Sequence, residues 1–301
     1  METHIFKIKH SKLRISGTPS NSQADKLSIC LSALVLATFI FAYFPVWRDL
    51  ISAWSGSPEN SYGFFIIPIS AFLVWKKFST LSRVPSQGST LGLLIVIFSL
   101  LLYLFAHYAE IITLRSLSIV ALLAGAIIYL YGFSIFKELI FPITFLLFMI
   151  PIPSQIYSYL TIPLQLFVSK VSVWLAASLG VSVFREGNVI HLPGHTFQVV
   201  RACSGMRSMV SLLTLSAVFG YLSLKSNLLR LGLFLSGIPV AIIVNTFRVL
   251  LILLAFHYLH ADLTRGIPHQ ALGLLVFIVA LLILFMIRGV ISPWDRYHTQ
   301  S

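Results

Sequence analysis

A chain of 301 residues of which 57% are apolar and only 10% charged lacks the polar surface that a water-soluble fold of this size needs. Its mean hydropathy of +0.92 places it among polytopic membrane proteins. The net charge of +12 is spread over short loops and an N-terminal tail. It therefore reads as a topology signal and as contact with anionic membrane lipid, and no nucleic-acid partner is expected.

Residues 1–26 form a polar tail with Lys7, Lys9, Lys12, Arg14 and Lys26, which is expected to stay in the cytoplasm. The apolar run Leu27–Trp47 has no small-x-small cleavage site after it and reads as an uncleaved outward span. The loop Arg48–Ser61 is poor in basic residues and belongs outside, after which Tyr62–Trp75 returns to Lys76, Lys77 and Arg83. Leu91–Ala109 leads outward and Ser116–Phe133 inward, with Lys137 and Glu138 inside. Leu139–Ile152 rises again and is ended by Pro151 and Pro153.

Gln155–Val181 is long enough to cross, but Ser158, Thr161, Gln165, Ser169 and Ser172 make one polar stripe at helical spacing. Such a helix lies along the membrane surface or lines a cavity. If it crossed, the basic loop Lys225–Arg230 would fall outside; if it does not, every basic loop falls inside, so the preferred arrangement is eight spans without it and both termini in the cytoplasm. Val181–Val200 then breaks into short β-like runs separated by Glu-Gly-Asn at 186–188 and Pro-Gly-His at 193–195, which predicts a small β-meander on the outer side. Gly205–Leu224, Leu231–Tyr258 and Gln270–Arg288 complete the spans. The expected fold is all-α and polytopic, with about eight transmembrane helices, a membrane domain over 27–290 and a cytoplasmic tail over 291–301.

This topology brings three chemically useful side chains to one face of the membrane. Cys203 stands at the start of a descending helix, where unpaired backbone N–H groups and the helix dipole favour a thiolate, and Arg201 and Arg207 add positive charge. Cys30 is expected near the opposite surface, which leaves Cys203 a free thiol. Arg248 lies in the outer part of an apolar span, where an arginine is costly and is usually paired, functional or snorkelled to the interface. Asn245 shares its face. His269 begins another descending span at the same side.

A thiol nucleophile needs a base, which His269 can supply, and acyl transfer needs an oxyanion donor, which Arg248 or the amides after Cys203, at Ser204 and Gly205, can supply. There is no HExxH, no GxSxG and no phosphate-binding glycine loop. His191, His195, His257, His260 and His269 share the outer side, but 191 and 195 fall on strands rather than one helix face, and neither a metal nor another cofactor is expected.

The segments Val200-Arg-Ala-Cys-Ser-Gly-Met-Arg-Ser208, Ile238-Pro-Val-Ala-Ile-Ile-Val-Asn-Thr-Phe-Arg-Val249 and Pro268-His-Gln-Ala-Leu-Gly273 resemble the exosortase/archaeosortase family, bacterial exosortase type. Ser61-Tyr-Gly-Phe-Phe-Ile-Ile-Pro-Ile-Ser70 resembles its early glycine-rich motif, and the likeness covers roughly residues 30–290. Arg201 stands where an acidic residue is often found, and Tyr62 where a histidine is common. The resemblance implies a cysteine protease/transpeptidase of the bacterial inner membrane, with a periplasmic active site, that cleaves C-terminal sorting signals of the Pro-Glu-Pro type from exported proteins in exopolysaccharide-associated protein sorting. Cys203, Arg248 and His269 match its proposed catalytic residues. The alternative from another class is a non-enzymatic transporter or export-complex subunit in which Arg248 binds an anion.

Overall fold

The computed structural model describes residues 37–199, 205–264 and 266–297. Its contacts divide the chain into two units, 1–48 and 49–301, and the second carries nearly all of the helices. The first is known here only through residues 37–48, which are almost wholly helical. Most of the expected Leu27–Trp47 span therefore lies outside the described residues. Helix α1, Phe44–Gly56, crosses the unit boundary and runs nine residues past Trp47. The expected loop Arg48–Ser61 is thus largely helical. Leu50 and Trp54, one turn apart, are buried, and Asp49 is paired with Arg115 at 3.1 Å, so this stretch is packed into the fold as helix.

The helices that follow are α2 (Gly63–Lys76), α3 (Thr90–Tyr108), α4 (Ile112–Phe145), α5 (Ser154–Ser178), α6 (Met206–Ser223), α7 (Asn227–Leu259) and α8 (Gly266–Tyr297). This is an all-α polytopic membrane protein: among the described residues, six helical segments are long and apolar enough to cross a bilayer, and α2 is a shorter apolar helix. α8 extends past the expected end at Arg288, as far as Tyr297.

Helix α4 is two limbs. Gly132 has φ 86° and ψ 176°, a conformation open to glycine, and breaks the ladder between them. A straight helix from Thr113 to Pro151 would be about 57 Å long, yet the Thr113 hydroxyl donates to the Pro151 carbonyl at 3.2 Å. The chain therefore goes out and back, as the separate runs Ser116–Phe133 and Leu139–Ile152 predicted.

Hydrogen bonds sort the unit into two ends. At one, which we call the site end, the Trp54 indole donates to the Met149 carbonyl at 2.9 Å, Arg115 pairs with Asp49, and Arg207 pairs with Glu59. At the opposite end, Pro142 has no N–H for the carbonyl of Glu138. The Lys77 ammonium replaces it at 2.7 Å and also meets the Glu138 carboxylate at 2.8 Å. Asp295 accepts the backbone N–H groups of Lys225 and Ser226 just before α7.

Helix α5 is settled by the same bookkeeping. Its stripe of Thr161, Gln165, Ser169 and Ser172 is buried, while Ile162, Phe167 and Trp174 point outward. Ser172 donates to the Thr246 carbonyl and Ser169 to that of Gly187. The stripe thus faces protein, as suits a helix whose other side meets lipid. Both ends of α5 are held at the site end: Pro151 by Thr113, and the Leu179 carbonyl by the Tyr258 hydroxyl at 2.9 Å. α5 therefore does not carry the chain to the other end, despite its length.

The expected meander is present as strands β1 (Phe184–Glu186), β2 (Val189–Leu192) and β3 (His195–Gln198), antiparallel in the order β1-β2-β3. Its inner face, with Ile190, Leu192, Phe197 and Val199, packs on Val249–Leu253 of α7. α7 is the central helix, with 56% of its most apolar window buried against 11% for α8, which is mostly lipid-facing.

Candidate active site

The site is built on α7, because a helix buried on most sides can hold a polar group in fixed surroundings. Arg248 lies about 32 Å along it from Asn227, toward the site end, and is only 8% exposed. Asn245, one turn earlier, is equally buried. α7 stops at His260, whose left-handed φ of 51° returns its N–H to the carbonyls of Ala255 and Phe256. The short loop that follows brings the first turn of α8 back over Arg248.

There the Arg248 Nη2 donates to His269 Nε2 at 2.8 Å. His269 Nδ1 lies 3.1 Å from the Leu263 carbonyl. A carbonyl can only accept, so Nδ1 carries the proton and the Nε2 lone pair faces the guanidinium. The loop carbonyl thus fixes both the tautomer and the ring orientation. Gly273, one turn after His269, leaves the space that the guanidinium occupies: a Cβ there would lie 3.3 Å from Nη2.

The start of α6 meets α7 beside this pair. Gly205 has φ 82°, and a Cβ on it would lie 2.9 Å from the Asn245 side chain. The residue must therefore be glycine on two counts, backbone conformation and close approach. The Gly205 carbonyl accepts the Met209 N–H at 2.8 Å, the first bond of the helix. Arg207 is turned to Glu59 at 3.1 Å, and Glu59 is also held by the Ser57 hydroxyl at 2.6 Å. The Ser57 hydroxyl first, with Arg207 adding to it, keeps the Glu59 carboxyl below its ordinary pKa against the opposing effect of burial. In the same loop the Tyr62 phenol is pushed up to about 12 by burial, with Tyr157 nearby, and stays neutral.

Of the predicted site residues, the fold brings together Arg248, His269, Asn245 and Gly205, and sets Arg207 at their rim. Cys203 and Ser204 lie outside the described residues, as do Arg201 and Cys30. The other outer histidines go elsewhere: His191 lies 3.2 Å from the Thr196 hydroxyl, and His195 packs on Phe256. Three participants were not assigned from sequence. Gly273 carried a signal, its place four residues after His269. The Leu263 carbonyl and Glu59 carried none, because a backbone acceptor and a lone loop carboxylate gain meaning only from their partners.

A family model described as transmembrane exosortase matches residues 54–286, well over half of the chain. The chain belongs to the transmembrane exosortase family. The exosortase match begins in α1 and ends in α8, so it takes in both ends of the bundle, the meander and the Arg248–His269 pair. No curated protein and no solved structure matches the chain.

Proposed function

We propose that this exosortase is a membrane-embedded cysteine protease/transpeptidase that cleaves C-terminal sorting signals of exported proteins and transfers them to an acceptor. The observation that carries the reading is the Arg248–His269 pair, with its fixed tautomer, beside Asn245 and the helix start that follows Cys203. Cys203 is two residues upstream of Gly205, and two residues of chain reach at most about 7 Å.

In this mechanism the Arg248 guanidinium first yields the Nε2 lone pair to the incoming thiol, His269 Nε2 takes the thiol proton, and Cys203 sulfur attacks the carbonyl carbon of the scissile bond. Once protonated, Nε2 is a donor and cannot take the Arg248 hydrogen bond back, so the guanidinium stays available to the oxyanion. The C–N bond breaks as His269 returns the proton to the leaving amine, which leaves a thioester on Cys203. An acceptor amine or water then attacks the thioester, gives its proton to His269 and regenerates the thiol. The concentration of Lys76, Lys77, Arg83, Lys137, Lys225 and Arg230 toward the opposite end supports a bacterial inner-membrane orientation with the site end in the periplasm.

The test is a reporter ending in a Pro-Glu-Pro segment, an apolar span and a basic tail, followed by mass change in cells. Cys203→Ala should leave the protein inserted and abundant but abolish processing. Normal processing by that variant would overturn the enzymatic reading in favour of a transporter or export subunit with Arg248 as an anion site.

A further inference from the structure

The meander has two outer edges with different surroundings. The β1 edge lies near α5, where Ser169 donates to the Gly187 carbonyl in the β1–β2 turn. The β3 edge has no strand beside it among the described residues. Its register is fixed: Val199 N–H donates to the Asn188 carbonyl at 2.8 Å, and Phe197 lies opposite Ile190. Because antiparallel pairing alternates, residues 195, 197 and 199 use their backbone groups toward β2, and Thr196 and Gln198 direct theirs away from it. Natural sheets guard such edges with lysine, proline or a covering segment. His195-Thr-Phe-Gln198 carries neither lysine nor proline.

Against this edge lies a cavity of about 350 Å³. β3 forms one wall and Thr264 the other, while the floor is Val249, Ile252 and Leu253. Val249 adjoins Arg248 in the chain, and Thr264 follows Leu263, whose carbonyl holds His269. The cleft is thus lined by chain neighbours of Arg248 and of the Leu263 carbonyl, though by neither Arg248 nor His269 itself, and β3 leads along the chain toward Cys203, five residues after Gln198.

We propose that the substrate's extended segment docks in this cleft as a fourth strand, pairing its backbone with Thr196 and Gln198 of β3. This rests on the protease reading and names how that site takes hold of a peptide. An extended peptide is the occupant that matches alternating N–H and C=O groups along one wall and apolar side chains beneath. Alternate substrate side chains would then point to the Val249–Leu253 floor and away from it. Thr196 and Gln198 are positioning residues acting through their backbone.

The experiment uses the full-length protein in detergent and a synthetic peptide with the Pro-Glu-Pro segment, an apolar stretch and a basic tail. Thr196→Pro and Gln198→Pro each remove an outward N–H while leaving the β2 ladder intact, a placement that edge strands tolerate. Each should raise KM about tenfold, the factor carried by one net hydrogen bond, with kcat and the rate of Cys203 alkylation little changed. N-methylation of the peptide at successive non-proline amides, assayed on the unaltered protein, should weaken processing at alternate positions only; this decides the matter if a proline variant fails to fold. A photo-crosslinking residue at 198 should capture the peptide, and one at 185, on the β1 edge, should not. Unchanged KM in both folded proline variants, N-methyl effects without alternation, or capture from 185 instead of 198 would overturn the docking mode. Cys203→Ala run alongside separates the two ideas. If it processes normally the protease reading fails, and capture from 198 still decides the docking; if it is inactive while the proline variants keep their KM, only the docking fails.

Discussion

The two ends of the bundle both bury charge, and they use it differently. At the opposite end Lys77, Asp295 and Arg230 repair helix termini or a break. Lys77 serves the Glu138 carbonyl that Pro142 leaves without a donor, Asp295 takes the N–H groups ahead of α7, and Arg230 donates to the Leu224 carbonyl while stacking on Tyr221. At the site end the rim charges are instead neutralised in pairs, Asp49 with Arg115 and Glu59 with Arg207. Arg248 breaks the pattern, since its guanidinium donates to an imidazole whose other nitrogen is tied to Leu263. A guanidinium gains less from a neutral acceptor than from a carboxylate. An imidazole acceptor suits a proton that moves, which is the role proposed for this pair.

The strongest way to break this comparison is Arg248→Lys. Lysine keeps the charge but loses the planar fork, and processing of the reporter should fall about 10²–10³-fold with expression unchanged, the usual cost of losing an oxyanion donor. Full activity in that variant would make Arg248 another structural charge. Next in size is Gly205→Ala, which forces a left-handed φ on a residue with a Cβ and pushes on Asn245. It should cost roughly 1–3 kcal/mol in thermal unfolding and lower processing as well. Gly180→Ala has a similar φ of 86° but open space around it. It should show the backbone cost alone, so equal activity in the two variants would deny Asn245 a role at the site.

Asp295→Asn should cost about 1 kcal/mol, as a lost N-terminal cap does, and leave processing per folded molecule untouched. A loss of turnover there would mean that the opposite end is coupled to the chemistry. The smallest effect is expected at Glu59, whose pair with Arg207 is partly exposed and contributes about 0–1 kcal/mol. Its folded pKa is depressed, so its contribution is present above the ordinary carboxylate range and is lost as pH falls through the folded value. Thermal stability of wild type should therefore drop relative to Glu59→Gln on acidification below about pH 4, and parallel curves would remove the clamp.

Sequence alone was enough for the membrane class, the two limbs of α4, the meander and the placing of Arg248 and His269 at one end. Bilayer thickness, proline and glycine chemistry and the distribution of basic residues act locally or add along the chain, and each is legible without coordinates. It misjudged Arg48–Ser61, because a shortage of basic residues marks the side of the membrane and not how far the preceding helix continues. It left α5 open between two readings, because a polar stripe reports that a helix has two faces and not which face meets protein. The hydrogen bond from Arg248 to His269, the Leu263 carbonyl that fixes the tautomer, the space left by Gly273 and the Asn245–Gly205 contact were decided only by tertiary structure. Each depends on the crossing of helices joined by a short turn, where a shift of one residue would rotate a side chain by about 100° and dissolve the pair.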